Sequence, residues 1–181
     1  MKLIALSVYG MDKPGIVYGI SEVLANNNVN IVDIEQTVLQ GLFVMFIVGD
    51  IEKCSVSLDK LEEQLRERGK KIGVEVHVAP FTRQETPKKE LHVITVLGKD
   101  RVGIVRDITK ILYEHGINIE KTSLTARDNL ISIEFLIDLR GTNLEEVKKQ
   151  LKEEVESFGL DIVIQPYSVF KSCLLYTSDA A

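Results

Sequence analysis

The sequence predicts an α+β protein made of two consecutive βαββαβ units, each a four-stranded antiparallel sheet with two helices on one face. Three observations carry this. The chain repeats itself: Asp12, Gly15, Ile16 and Val17 recur as Asp100, Gly103, Ile104 and Val105, displaced by 88 residues. The same displacement carries Val8 to Val96, Gly10 to Gly98, Ile20 to Ile108, Leu24 to Leu112, Asn30-Ile31 to Asn118-Ile119, Leu42 to Leu130 and Asp50 to Asp138. Later the displacement is 86, with Gly73, Pro80 and Phe81 answered by Gly159, Pro166 and Tyr167. Within each copy, strand-like and helix-like apolar patterns succeed one another in one order. Between the copies, Thr82 to Glu90 is polar, contains Pro87 and has no apolar period, so it reads as a linker.

The elements of the first unit follow from local chemistry. Leu3 to Tyr9 is an apolar, β-branched run and reads as a strand. Asp12-Lys-Pro-Gly reads as a turn opening a helix, in which Asp12 can cap free N–H groups and Pro14 is tolerated in the first turn. Ile16, Ile20, Val23 and Leu24 then share a helical face, and Asn26-Asn27-Asn28 stops that helix. Val29 to Gln40 reads as a strand, Gly41 turns the chain, and Leu42 to Val48 is the next strand. Leu58, Leu61 and Leu65 mark a second helix, with Glu62, Glu63, Arg66 and Glu67 on its wet side. Val74, Val76 and Val78 alternate as the last strand.

The second unit repeats the order. His92 to Leu97 is a strand, and Ile104, Ile108, Ile111 and Leu112 make a helix face. Asn118 to Arg127 and Ile131 to Leu139 are strands. Leu144, Val147, Leu151 and Val155 form the second helix, and Asp161 to Val169 reads as the final strand. The order βαββαβ is the ferredoxin-like arrangement. Domain 1 therefore spans 1–81, the linker 82–90 and domain 2 91–171. Leu42–Val48 and Ile131–Ile137 read as strands apolar on both faces, which predicts cover on both. Small units have marginal cores, so the units are expected to pack on each other or on a second chain, and a homodimer is expected.

Bulk properties exclude several classes. With a formal charge of −5, no basic surface for nucleic acid or anionic lipid is expected. No apolar run reaches the roughly 20 residues needed to span a bilayer. Met1 to Tyr9 lacks a small-residue cleavage site and reads as a strand rather than a signal peptide. Two isolated cysteines, Cys54 and Cys173, form neither a disulfide framework nor a zinc site, which suits a reducing cytoplasm. No His, Cys and carboxylate group has metal-ligand spacing, and no Ser or Thr follows a nucleophile-elbow pattern. No catalytic centre is expected in this chain.

Gly10-x-Asp12-Lys-Pro-Gly15-Ile-Val17 followed by Asn30-Ile-Val-Asp-Ile34 resembles the ACT domain, as does Gly98-Lys-Asp100-Arg-Val-Gly103-Ile-Val105 with Asn118-Ile119. The resemblance covers about residues 1–170. It implies amino-acid-binding regulatory modules that sit beside metabolic enzymes and pair through strands or helices. A narrower resemblance, carried by tandem units beginning near residue 1 and closing on Ile162-Val-Ile-Gln-Pro-Tyr-Ser-Val-Phe-Lys171, is to the amino-terminal half of ACT-bearing phosphoserine phosphatases. That family continues into an Asp-x-Asp-x-Thr nucleophile motif, which this chain lacks. Residues 172–181 fit neither repeat and read as non-native sequence, so the natural protein is expected to continue past Lys171. No cofactor is expected here; Mg²⁺ belongs only to the phosphatase domain that the resemblance implies.

An amino-acid ligand presents a carboxylate, which needs oriented N–H donors, and an ammonium, which needs oxygen acceptors. A helix N-terminus supplies free N–H groups and partial positive charge, and glycine lets a ligand approach the backbone. By resemblance the ligand lies between the loop and the start of the second strand, often against a neighbouring unit. The candidate residues are Gly10, Asp12, Lys13, Pro14, Gly15, Ile16, Asn30 and Ile31, with Gly98, Asp100, Arg101, Gly103, Ile104, Asn118 and Ile119 in the second copy. Plainer readings stand beside these. Asp12 and Asp100 can be helix caps, Gly15 and Gly103 can serve packing, and Asn30 and Asn118 can satisfy turn backbone. Lys13 and Arg101 can be exposed turn charges, and His115 can sit at a helix C-terminus where the dipole favours it. Three functions compete: a serine- or glycine-sensing module of a phosphoserine phosphatase, a free-standing regulator resembling the glycine-cleavage repressor group and acting through protein partners, and a ligand-free dimerisation module.

Overall fold

The computed structural model describes residues 2–83 and 87–171. The chain divides into two compact units, Met1–Glu85 and Thr86–Ala181. The first contains β1 (Leu3–Met11), α1 (Ile16–Asn26), β2 (Asn30–Leu39), β3 (Leu42–Asp50), α2 (Leu58–Ile72) and β4 (Val74–Phe81). The second contains β5 (Leu91–Lys99), α3 (Ile104–Glu114), β6 (Asn118–Arg127), β7 (Leu130–Asp138), α4 (Leu144–Ser157) and β8 (Asp161–Pro166). Each unit is a four-stranded antiparallel sheet, in the orders β2-β3-β1-β4 and β6-β7-β5-β8. The fold is the expected pair of ferredoxin-like units.

Strand alternation aims one face of each sheet at its helices. In the first unit Ile4, Leu6 and Val8 of β1, Phe43, Met45 and Ile47 of β3, and Val74 and Val76 of β4 meet Ile16, Ile20 and Leu24 of α1 and Leu61 and Leu65 of α2. The second unit repeats this with Ile94, Val96, Ile131, Ile133, Phe135 and Ile137 against Ile104, Ile108, Leu112, Val147, Leu151 and Val155. Each such side chain contributes about 1.5–3 kcal/mol by leaving water. The β2–β3 and β6–β7 hairpins close through two-residue turns, Gln40-Gly41 (φ 50° and 85°) and Asp128-Asn129 (φ 50° and 65°). Two successive left-handed residues make the type I′ turn whose twist suits a hairpin.

Three expectations are corrected. Neither Asp12 nor Asp100 caps a helix: the N-caps are Gly15 (φ 96°) and Gly103 (φ 92°), left-handed and without a side-chain cap, and Pro14 lies in the turn before α1. Asp12 and Asp100 stand three residues before those N-caps, not at the position from which a capping side chain reaches the first-turn N–H groups. The last strand stops at Pro166, and 167–171 form one helical turn, because Pro166 ends the ladder. The apolar β3 is not covered on both faces, since Leu42 and Phe46 are exposed. In β7 the outer positions Ser132, Glu134 and Leu136 are half-buried; Tyr167 and Phe170 of the 167–171 turn wall a cavity of about 230 Å³ there, with Val93 and Leu136.

Helix ends are fixed by local chemistry. Ser57 caps α2 by accepting from the Lys60 N–H at 3.3 Å, and Asn143 caps α4 by accepting from Glu145 at 3.2 Å. After α1, the buried Asn27 amide donates to the Val23 carbonyl and to Gln64 Oε1 of α2, at 2.8 and 2.7 Å. His115 ends α3 as expected, its Nε2 lying 2.7 Å from Gln150 Oε1 of α4. Cys54 is a half-buried thiol, and Cys173 lies outside the described residues. No described helix is long and apolar enough to cross a membrane.

Candidate functional site

The loop that joins β1 to α1 ends in an open helix N-terminus. Met11 to Gly15 are exposed, whereas Ile16 is buried and anchors the first turn in the core. The first intrahelical bond runs from the Gly19 N–H to the Gly15 carbonyl at 2.9 Å, so the N–H groups of Ile16, Val17 and Tyr18 have no helical acceptor. No acidic residue lies in the first turn of α1. A Cβ on Gly15 would meet nothing within 4 Å, so the space beside it is open. The loop is pinned to the hairpin: the Asp12 N–H donates to the Gly41 carbonyl at 2.8 Å, as Asp100 does to Asn129 at 3.1 Å.

Gly10 and Gly98 are present for packing. A Cβ on Gly10 would sit 2.9 Å from the Gly73 carbonyl oxygen, and one on Gly98 (φ 149°) 2.4 Å from Leu160 Cδ2. Both lie where β1 or β5 meets the turn before the last strand.

The candidate residues do not all meet. Asn30 pairs with Asp50, which also pairs with Leu3, whereas Met11 pairs with Leu42, which pairs with Leu39. Asn30 and Ile31 therefore lie at one end of the sheet and Gly10 to Ile16 at the other, roughly 25 Å apart at about 3.3 Å per residue. Asn118 and Ile119 are separated from Gly98 to Ile104 in the same way, since Asn118 pairs with Asp138 and Asp138 with Leu91. Within one unit, then, the loop and the start of the second strand form no shared crevice.

The two loops differ in their side chains. In the first, Asp12, Lys13 and Asn30 make no side-chain hydrogen bond or ion pair among the described residues. In the second, Arg101 Nη2 donates to Asp107 Oδ2 at 2.5 Å, and Arg106 Nε donates to Asp107 Oδ1 at 2.8 Å. The Arg101 guanidinium also lies 3.6 Å over the Phe158 ring. Arg101 and then Arg106 hold the Asp107 carboxyl below the usual carboxylate range, although burial opposes this. Asn118 donates its side-chain amide to Glu120 at 2.9 Å, and Glu120 is paired with Lys89. Arg106, Asp107 and Phe158 are not legible as site residues from the repeat. The one available signal is a departure from it: Asp107 stands where the first unit has Gly19. Among the described residues no group of three or more His, Cys, Asp or Glu could hold a metal.

Comparison with known proteins agrees with this architecture. The family model for the ACT domain matches residues 2–79 and again 90–165. A phosphoserine phosphatase of Archaeoglobus fulgidus is 52% identical over 131 residues, covering 71% of this chain but only 36% of the phosphatase. The chain thus spans about a third of that relative. A UPF0237 protein of Pyrobaculum aerophilum is 53% identical over 78 residues, 43% of this chain and 87% of that protein. Among solved structures, a protein from Galdieria sulphuraria superposes with a TM-score of 0.75 at 23% identity, covering 91% of this chain and 98% of its own. A protein described as a glycine cleavage system transcriptional repressor superposes at 0.71 with 14% identity, over 91% of this chain and 96% of its own. At those identities the likeness is one of fold. With both repeats matched along nearly their whole length, the chain belongs to the ACT domain family, and carries two copies of the domain.

Proposed function

We propose that the chain is a small-amino-acid sensor, for serine or glycine, that serves a phosphoserine phosphatase as its regulatory part. The observation that carries the sensing role is the uncapped N-terminus of α1 behind an exposed, left-handed Gly15. The ligand carboxylate takes the N–H groups of Ile16 to Tyr18 and the Lys13 ammonium. The ligand ammonium takes the oxygens of Asp12 and of an asparagine at the start of a second strand. An exposed helix N-terminus alone supplies only about 0.3–1 kcal/mol. Millimolar binding needs about 4 kcal/mol, so the loop needs a second wall.

A second copy supplies that wall. β2 is an edge strand, and Val32, Ile34, Val38 and Leu39 are all exposed on it. Bare apolar edges are templates for pairing. Antiparallel β2–β2 pairing of two copies brings the partner's strand start to the loop end of the sheet, which reunites the halves that one unit keeps apart. The site is then isologous, occurring twice per dimer.

The 52% identity to the archaeal phosphatase favours the serine-pathway role. The UPF0237 relatives support a second reading, a free-standing ACT regulator, because the matched segment is 87% of one such chain. The repressor-type reading has only a likeness of fold behind it. Calorimetry tests the sensing role: saturable binding of L-serine or glycine with a dissociation constant below about 1 mM is expected. Absence of binding by every common amino acid rejects sensing in favour of a ligand-free dimerisation module. The natural reading frame past Lys171 separates the two sensor readings, since only the phosphatase carries Asp-x-Asp-x-Thr there.

A further inference from the structure

We infer that the outer face of the second sheet carries a separate site for an α-amino acid with an apolar side chain, in the cavity between Glu134 and the rings of Tyr167 and Phe170. The inference stands apart from the loop reading above and uses none of its residues.

The cavity follows from strand register and from the turn of 167–171. Alternation sends Ile133, Phe135 and Ile137 of β7 into the core, so Glu134 and Leu136 point to the opposite face. Pairing sets Lys121 of β6 opposite Leu136, and Leu136 opposite Val93 of β5, which makes one row across that face. Ser123 stands opposite Glu134 in the next row. Tyr167 and Phe170 come over these rows from beyond β8 and enclose about 230 Å³, with Lys171 also at the lining. The cavity therefore has an apolar floor, two aromatic walls, one carboxylate and two ammonium groups. Its volume is below the roughly 300–1,000 Å³ of pockets for drug-sized molecules, so its occupant is small.

The charges select that occupant. Glu134 is half-buried, yet its carboxylate has no hydrogen bond or ion pair among the described residues. Lys121 lines the same cavity without pairing with it. Diagonal neighbours on a sheet face stand about 7–8 Å apart, which leaves space for a ligand's charged end between the two. A carboxylate drawn out of water without a partner costs free energy, which a ligand ammonium offsets. The ligand carboxylate takes Lys121 and Lys171, and its side chain lies against the two rings. A plain carboxylic acid leaves Glu134 unpaired and beside a like charge. A plain amine leaves both lysines unused. The molecule that meets all three features is a zwitterion with an apolar arm.

The repeat shows that the fold itself does not demand this set. At the positions of Lys121, Ser123 and Glu134 the first unit has Asp33, Glu35 and Phe46. There the edge strand carries two acids, and an exposed ring stands where the second unit has its carboxylate. The arrangement belongs to the second unit alone.

The test titrates the full chain with three compounds while NMR follows its backbone amides. They are L-phenylalanine, 3-phenylpropionate, which lacks the ammonium, and phenethylamine, which lacks the carboxylate. L-Phenylalanine should give saturable shifts at Val93, Ser123 and Glu134 with a dissociation constant below about 1 mM, and each analogue should bind about tenfold more weakly. Glu134→Gln should weaken L-phenylalanine by about tenfold and leave 3-phenylpropionate no weaker. Lys121→Gln should weaken L-phenylalanine and 3-phenylpropionate but not phenethylamine. Neither side chain is in the core, and native shifts elsewhere in each spectrum check that the variants fold. Equal affinity for all three compounds overturns the inference. So does undiminished L-phenylalanine binding in Glu134→Gln, or the absence of saturable shifts at these amides. Each of those results leaves serine or glycine binding at the loops to be decided by its own calorimetry.

Discussion

At the scale of single residues, the glycines of the loop divide into two kinds that share a motif but not a cause. Gly15 is left-handed and open, whereas Gly10 and Gly98 are crowded. Gly10→Ala and Gly98→Ala should each lower stability by about 1–3 kcal/mol, because backbone or core atoms must move. Gly15→Ala should cost only the left-handed strain, about 1–2 kcal/mol. Urea unfolding with unchanged m-values checks this ordering, and Gly10→Ala no worse than Gly15→Ala would contradict it. The positive φ of Gly15 was legible in Pro-Gly before a helix. The crowding at Gly10 was not, because it comes from Gly73 and Val74, 63 and 64 residues away.

Asp138 and Asp107 contribute to the pH dependence, as does Glu120, held low by Lys89 and Asn118. Burial opposes ionisation of Asp138, but the Glu90 N–H and the Arg140 guanidinium and N–H outweigh it and hold its carboxyl low. Arg101 and Arg106 do the same for Asp107. A carboxyl whose folded value lies below its unfolded one contributes stability that is fully present above the unfolded value, about 3.9. That contribution disappears as pH falls through the folded value. Acid unfolding of Asp138→Asn should therefore show a shallower loss of stability below about pH 4 than the unaltered chain. An unchanged slope would mean Asp138 gains nothing from its partners. Neither pairing was legible in the sequence: Asp107 meets an arginine six positions back, and Asp138 meets a backbone amide from before β5.

At the scale of elements, apolar period set the helices and strands closely, since Asn118–Arg127 was foreseen to the residue. Boundaries shifted where a turn outweighed propensity, as at Gly15, Gly103 and Pro166. The outer face of β3 is uncovered despite its apolar sequence, because apolar content alone does not say which face a neighbour occupies; Phe46 is 59% exposed. The exposed apolar edge of β2 is the element-scale feature with a consequence. Ile34→Lys and Val38→Lys place charges on that edge, one of the devices by which proteins block edge pairing. Each should convert a dimer to a monomer in sedimentation while leaving thermal unfolding cooperative. Val163→Lys on β8, also exposed at 51%, should leave the dimer intact. A dimer insensitive to all three changes would place its interface elsewhere.

At the scale of the whole molecule, the candidate site was half legible. The repeat pointed to both loops as candidates, and the resemblance to the ACT domain pointed to the strand-start asparagines. What the sequence could not supply was their separation: antiparallel register sends Asn30 to the end of the sheet away from Gly15. The proposed sensing role therefore depends on a site assembled from two copies. Mixing two variants measures this directly. Gly15→Leu removes the loop from both sites of its homodimer, and Asn30→Ala removes the strand start from both sites of its own. Neither homodimer should bind L-serine or glycine in calorimetry. After equimolar exchange, half the dimers are mixed and each holds one intact site, so about a quarter of the unaltered chain's sites should return. No recovery on mixing, from variants that still fold and exchange and with the unaltered chain binding, would contradict a site shared between two copies.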